Sequence, residues 1–392
     1  RGNDGVRRDA RGRRAAMLIF ERSRPGRINR VQAPGDAAAA ASAIPEKLLR
    51  AEPPALPEVS ELDAVRHYTL LSQRNYSIDT QFYPLGSCTM KYNPRACNAA
   101  ALLPHFLALH PAALEETGQG FLACMYELQE ILKAVTGMSA ISLAPMAGAQ
   151  GEFAGVAMIR AYHDERGDTA RREVLVPDAS HGTNPATAAM CGYTVREIPT
   201  DAHGDVDTAA LARVVGPHTA GLMLTNPSTL GVFERSIVEI QRIVHAAGGL
   251  LYYDGANLNA ILAKVRPGDM GFDVLHLNLH KTFAIPHGGG GPGMGPIAVA
   301  DHLAPYLPGH PVVKVGGSRA IPAIAAAPWG SASILLISYG YIRMLGAAGV
   351  TDATRYAILN ANYLKARLQS HYDVLYANHN GRVAHEMIFD LR

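Results

Sequence analysis

Residues 273–295 read Asp273-Val274-Leu275-His276-Leu277-Asn278-Leu279-His280-Lys281-Thr282-Phe283-Ala284-Ile285-Pro286-His287, then a glycine run from Gly288 to Gly291, then Pro292-Gly293-Met294-Gly295. The short apolar run predicts a buried strand. It ends on a lone lysine beside a loop whose glycines let backbone approach a ligand closely. Burying an ammonium is costly unless its pKa falls or it finds a partner. Taken alone, Lys281 reads most simply as a surface residue at a strand end. A desolvated lysine amine can also form a Schiff base with a carbonyl compound, and the surrounding pattern decides between the two.

Outward from this stretch, apolar runs recur at 174–177, 193–198, 220–225, 249–253, 273–279 and 296–300. Helical patterns separate several of them, the clearest placing Ile237, Ile240 and Val244 on one face. Strands alternating with amphipathic helices predict an α/β fold, a mostly parallel sheet flanked by helices on both faces. Ligands in such sheets bind beyond the carboxyl ends of the strands. The candidate polar residues fall there: Asp178 to His181, Thr225-Asn226, Asp254 and Lys281. Earlier, helix-like Phe121 to Val135 precedes the small-residue turn Pro145 to Gly151, and a second helix runs to Tyr162. Later helical patterns cover Leu335 to Leu345 and Ala353 to Ser370, ahead of strand-like Val374 to Tyr376.

The chain of 392 residues is long enough for one large domain and a smaller one. Four regions are expected: a disordered extension over 1–16, an N-terminal arm over 17–85, a large ligand-binding domain over 86–334, and the start of an incomplete small α/β domain over 335–392. Ala- and Pro-rich residues 33–60 suit an extended arm, with a helix from Glu58 to Ser72. The net charge of +2 gives no reason to expect nucleic acid or a membrane surface as partner, and no uninterrupted apolar stretch suggests a membrane span. Cys88, Cys97, Cys124 and Cys191 show no ligand-type spacing, so reduced thiols in a cytoplasmic protein are expected.

Pyridoxal 5′-phosphate needs a lysine, an acid for its ring nitrogen, a stacking partner and an anion site. Each has a candidate. Lys281 supplies the amine. Asp254 follows an apolar run and precedes the small residues Gly255 and Ala256, beside which a flat ring fits. His181 is a flat ring for stacking. Gly148, Ala149 and Gln150 open a helix whose N–H groups suit a phosphate. Thr225 and Asn226 offer hydrogen bonds to the phenolic oxygen, and His280 adjoins the lysine. The dense loop Tyr83 to Pro94, with Ser87, Thr89 and Lys91, is a further candidate for ligand contacts. Gly288 to Gly293 fits G-x-G-x-x-G but precedes a strand, so the dinucleotide context fails. His276 and His280 have helical metal-ligand spacing on a strand-like segment, so no metal site is expected.

These residues leave an aminotransferase, a lyase, another amino-acid decarboxylase or a non-catalytic scaffold open. Longer blocks narrow the choice: Tyr83 to Pro94, Pro145 to Glu152, Ser180-His181-Gly182-Thr183-Asn184-Pro185, Tyr253 to Asn259, and Leu277 to Gly293. From Met17 to the end, the chain resembles the P-proteins of the glycine cleavage system in their split bacterial form, as subunit 2. Residues 1–16 have no counterpart, and the family's small domain continues further. The resemblance implies a fold-type-I, aspartate-aminotransferase-like enzyme with pyridoxal phosphate on Lys281. It implies decarboxylation of glycine and transfer of the aminomethyl group to the lipoyl group of H-protein. The implied partner is subunit 1, in a heterotetramer of two of each, and the implied catalytic residues are Lys281 and His181.

Overall fold

The computed structural model describes residues 18–27, 44–52, 54–77, 79–80, 92–286 and 292–392. The extension over 1–16, most of the Tyr83 to Pro94 loop and the glycines 288–291 therefore lie outside the described residues. The chain divides into two compact units, residues 1–84 and 85–392.

In the first unit the expected helix forms over Glu61–Ser72. It starts three residues later than the pattern suggested because Ser60 caps it, its hydroxyl accepting from Asp63 N at 3.2 Å. Arg27 pairs with Asp63 at 3.0 Å, and Glu58 N donates to Ser23 Oγ at 2.8 Å. The Ala/Pro-rich stretch 44–60 carries one short turn of helix, Glu46–Leu48.

The second unit is built on a seven-stranded sheet: β1 (Ala140–Ser142), β2 (Glu173–Pro177), β3 (Thr194–Ile198), β4 (Thr219–Leu224), β5 (Leu250–Gly255), β6 (Val274–Leu277) and β7 (Ile297–Val299). Their spatial order is β1-β7-β6-β5-β4-β2-β3. Strands β2 to β6 run parallel, and β7 runs antiparallel to both β6 and β1. Alternation along the strands sorts the core into two layers. Val174, Val176, Leu250, Tyr252 and Val274 pack with Ala154, Met158 and Ile159 of the helix Gly148–Glu165. Leu175, Leu251, Tyr253 and Leu275 pack on the other face with Leu128 and Leu132 of Glu115–Thr136 and with Ile240 and Val244 of Ile237–Ala246.

The two expected helices near the end both form within Leu335–Leu368, separated at Gly346, whose φ of +63° and ψ of −177° are not helical. The second begins just after that break, earlier than the expected Ala353. By length and composition Ala332–Leu368 would suffice to cross a membrane, against the expectation of no such stretch. Its apolar side is taken up by the core, where Leu335, Leu336, Ile337 and Ile342 are buried with Leu277 and Phe283. Ser338 Oγ donates to Phe283 O at 2.7 Å and Thr354 Oγ to Leu262 O at 2.9 Å. The boundary expected at 334/335 thus falls inside one compact unit. Beyond the helix, β8 (Asp373–Val374) pairs antiparallel with β9 (Phe389–Asp390).

Candidate active site

The carboxyl ends of β4, β5 and β6 gather the candidate residues. Asp254 and His276 are register partners on adjacent parallel strands, so their side chains share one face of the sheet. Asp254 is 5% exposed and His276 2%. His276 Nε2 lies 3.5 Å from Asp254 Oδ1, and its Nδ1 lies 2.5 Å from the Tyr252 hydroxyl. Burial holds the Tyr252 pKa far above its usual range, so that hydroxyl keeps its proton and donates. Nε2 then carries the ring proton toward Asp254. Burial pushes the His276 pKa down, with Lys281 and His181 pushing the same way against Asp254, so the ring is neutral.

On its other side Asp254 meets a second chain of polar groups. Oδ1 accepts from Ala256 N at 3.1 Å. With its amide turned to donate, Asn184 reaches Asp254 Oδ2 at 3.2 Å and Glu152 Oε1 at 2.8 Å. Glu152, 3% exposed, has its pKa raised to about 8 by burial and by the neighbouring Asp254 charge, with a Thr187 hydrogen bond opposing. At neutral pH Glu152 therefore keeps its proton.

Lys281 does not sit on the strand. β6 stops at Leu277, and Lys281 lies on the helical turn Leu279–Thr282 that follows. The turn forms because Lys281 N donates to Asn278 O at 3.0 Å. It is pinned to the segment after β5 by Leu258 N donating to Thr282 Oγ at 3.1 Å and Asn259 Nδ2 to Lys281 O at 3.3 Å. Both Lys281 and His280 are half-buried. His181 is exposed just past β2, its Nδ1 bonded to the Thr183 hydroxyl and accepting from Thr183 N at 3.3 Å.

Gly148 opens a helix of 18 residues whose N-cap, Ala147, provides no side-chain cap. The first N–H groups thus remain for an anion. A Cβ on Gly148 would overlap the Asn278 side chain, so glycine lets this helix start lie against Asn278, the N-cap residue of the turn carrying Lys281. Ala149 is exposed and Gln150 Oε1 accepts from Met146 N at 2.7 Å, which steadies the entry. Thr225 Oγ is buried without a partner. Asn226 is committed elsewhere. Its Oδ1 accepts from Glu234 N at 2.9 Å and its Nδ2 donates to Glu234 O at 3.4 Å.

Sequence reasoning weighed His276 only as half of a metal pair, met Glu152 and Asn184 only inside motif blocks, and gave Tyr252 no role. The signal for His276 was its parity with Asp254 on neighbouring strands. For Glu152 it was a carboxylate on the small-residue face Gly151, Ala154, Gly155 of a helix packed on the sheet. A cavity of about 640 Å³ lies apart from these residues, lined in part by Phe106, His110, Phe121, Val312 and Trp329. It reaches Ser331, whose N–H contacts Met294 Sδ at 3.2 Å, next to the glycine-rich stretch.

An amine, a braced acid, an uncapped helix start and an orphaned hydroxyl along one strand edge fit the requirements of pyridoxal phosphate. Comparison with known proteins points the same way. The glycine cleavage system P-protein family matches residues 36–320, and the C-terminal domain of glycine dehydrogenase matches residues 353–392. The chain is 63% identical over 386 residues to the probable glycine dehydrogenase (decarboxylating) subunit 2 of Thiobacillus denitrificans, covering 96% of this chain and 79% of that protein. The Nitrosospira multiformis protein of the same description is 64% identical, with 96% and 76% covered. Among solved structures, an inhibitor-bound glycine decarboxylase (P-protein) superposes with a TM-score of 0.71 at 21% identity, over 88% of this chain and 80% of that one. Glutamate decarboxylase of Lactobacillus brevis gives 0.63 at 13% identity, over 84% and 78%. These two likenesses establish the fold.

Proposed function

The chain belongs to the glycine cleavage system P-protein family, and from that premise we propose that it is the cofactor-holding subunit of a decarboxylating glycine dehydrogenase. The observation that carries this reading is Lys281 on its pinned turn after β6, with Asp254 on the neighbouring strand accepting from Ala256 N, reached by the Asn184 amide and faced by His276 at 3.5 Å. Glycine is the substrate, and the products are carbon dioxide and an aminomethyl group passed to the lipoyl group of H-protein.

When bound, pyridoxal 5′-phosphate supplies an electron sink for the bond pair released as the carboxylate departs. Lys281 would hold it through its amine and Asp254 would pair with its ring nitrogen. Gly148, Ala149 and Gln150 would take its phosphate, His181 would lie against its ring, and Thr225 would donate to its phenolic oxygen. Glu152 keeps its proton at neutral pH, so the acid beside the ring nitrogen is not opposed by a second buried charge. Gly151 packs so closely on the Gly295 backbone that a Cβ there would overlap its carbonyl oxygen.

The finer assignments rest on the same family membership. The chain works with subunit 1, as a heterotetramer of two of each, in the cytoplasm. A lipoyl arm needs an apolar approach, and the cavity beside Met294 offers one. The test is glycine-dependent exchange of labelled bicarbonate by the purified complex. Exchange should require H-protein and subunit 1. Lys281→Ala should remove both the exchange and the visible absorbance of the cofactor. Decarboxylation that proceeds without H-protein would point instead to a free-standing amino-acid decarboxylase.

A further inference from the structure

Past β8, the chain turns at Asn378, whose N–H donates to Arg382 O at 2.9 Å, and comes back toward Lys281. Residues 383 to 386 are held from two sides. Val383 N donates to Asn362 Oδ1 at 3.1 Å, and Asn362 Nδ2 returns a bond to Val383 O at 2.7 Å. Ala384 N donates to Gly231 O at 2.8 Å. Gly231, with φ +83°, has no room for a Cβ because Glu386 O occupies the space. The loop that carries Gly231 follows Thr225 and Asn226, and its Thr229 hydroxyl bonds Ala179 O, two residues from His181. His385 is thereby delivered to the carboxyl edge of the sheet, on the side of β4.

His385 differs from the other site histidines. Its side chain is 7% exposed, yet neither ring nitrogen has a hydrogen-bond partner. The neighbouring Glu386 Oε1 stands 3.8 Å from Nε2, beyond hydrogen-bond reach. Burial first, and then the Lys281 charge, push the His385 pKa down to about 4. The same Lys281 charge acts on Glu386. The ring is therefore neutral, and Lys281 is near enough for its charge to act on it. A buried polar ring held by two backbone clasps and given nothing to bond is poised for a ligand.

We propose that His385 is a substrate-binding residue whose neutral imidazole N–H donates a hydrogen bond to the carboxylate of glycine near Lys281. The proposal rests on the glycine decarboxylase reading and adds the group that recognises the departing carboxylate. A neutral donor suits this reaction. The carboxylate loses its charge as carbon dioxide forms, so a cation held against it would stabilise bound substrate more than the transition state. An uncharged N–H locates the group without that penalty.

The test compares glycine with methylamine, which keeps the amine and lacks the carboxylate, by difference absorbance on the complete complex with its cofactor. His385→Ala should weaken glycine binding roughly tenfold and leave methylamine binding within about twofold. His385→Gln, which retains a neutral N–H donor, should recover most of the loss. His385→Phe fills the same space without a donor and should reproduce the selective loss, which separates recognition from packing. Equal weakening for both amines, or unchanged glycine binding in the Phe variant, overturns the proposal. Wild-type complex that fails to respond to glycine at all overturns the functional reading on which it stands, and that result is seen before any variant is made.

Discussion

Two sets of buried polar groups lie along the carboxyl edge of the same sheet and differ in how they are satisfied. One runs Glu152, Asn184, Asp254, His276, Tyr252, each member bonded or closely faced by the next. The other comprises the hydroxyls of Ser180, Thr225 and Ser228, with Asn278 Oδ1 and both nitrogens of His385, all buried and all without hydrogen-bond partners among the described residues. Buried polar groups are ordinarily satisfied, so the second set marks where the protein leaves bonding to something else. The first set braces one carboxylate; the second has bonding capacity that the protein itself does not use. The comparison teaches that a site is recognised as much by bonds the protein withholds as by those it makes.

The comparison breaks most visibly if a link of the satisfied set is removed. Asn184→Ala leaves Glu152 and Asp254 without their shared donor in a buried setting. Ligand-free protein should lose about 2–4 kcal/mol of stability in chemical denaturation. A loss below about 0.5 kcal/mol, the range of an ordinary surface change, would remove the premise that this set is structural.

Glu152 sharpens the same point through pH. Its folded pKa of about 8 lies above the unfolded carboxyl value of 4.5, so the folded state binds more protons in that window. Its contribution is fully present below pH 4.5 and declines as pH rises through 8. Glu152→Gln carries no such proton. Between pH 5 and 8.5 the stability of wild type should fall by roughly 3–4 kcal/mol relative to this variant. Parallel pH profiles for the two proteins would contradict the raised pKa.

Much of this was legible in the residues themselves. Strand and helix periods gave β2 to β7 within a few residues, and polar residues at strand ends located Asp254, Thr225 and Lys281. Pairing was less accessible. His276 looked like half of a failed metal motif because its partner is across a strand, at a register that no local pattern encodes. The turn holding Lys281 escaped notice because Leu277-Asn278-Leu279 continues the apolar run, while β6 itself ends at Leu277 and the chain turns helical from Leu279. Asn226 read as a donor by residue type, but Glu234, eight positions on, takes its amide. His385 lies more than a hundred residues from Lys281 and meets it only through the Asn362 and Gly231 clasps.

Thr225 gives the finest division between the two sets. Its hydroxyl is orphaned, and with Ser180, Ser228 and Glu234 it lines a cavity of about 10 Å³, room for one water at most. If the hydroxyl is withheld for the cofactor, Thr225→Val removes a group that the ligand-free protein never satisfies. Stability without ligand should then stay level or rise, by less than about 1 kcal/mol, because an unmet buried hydroxyl has been replaced by a methyl of the same shape. Cofactor affinity, read by equilibrium titration of the absorbance, should weaken roughly five- to tenfold. If the hydroxyl serves only the small cavity, the stability result is the same and cofactor affinity does not move. The two measurements together therefore decide whether Thr225 belongs to the ligand surface or to a packing gap behind it.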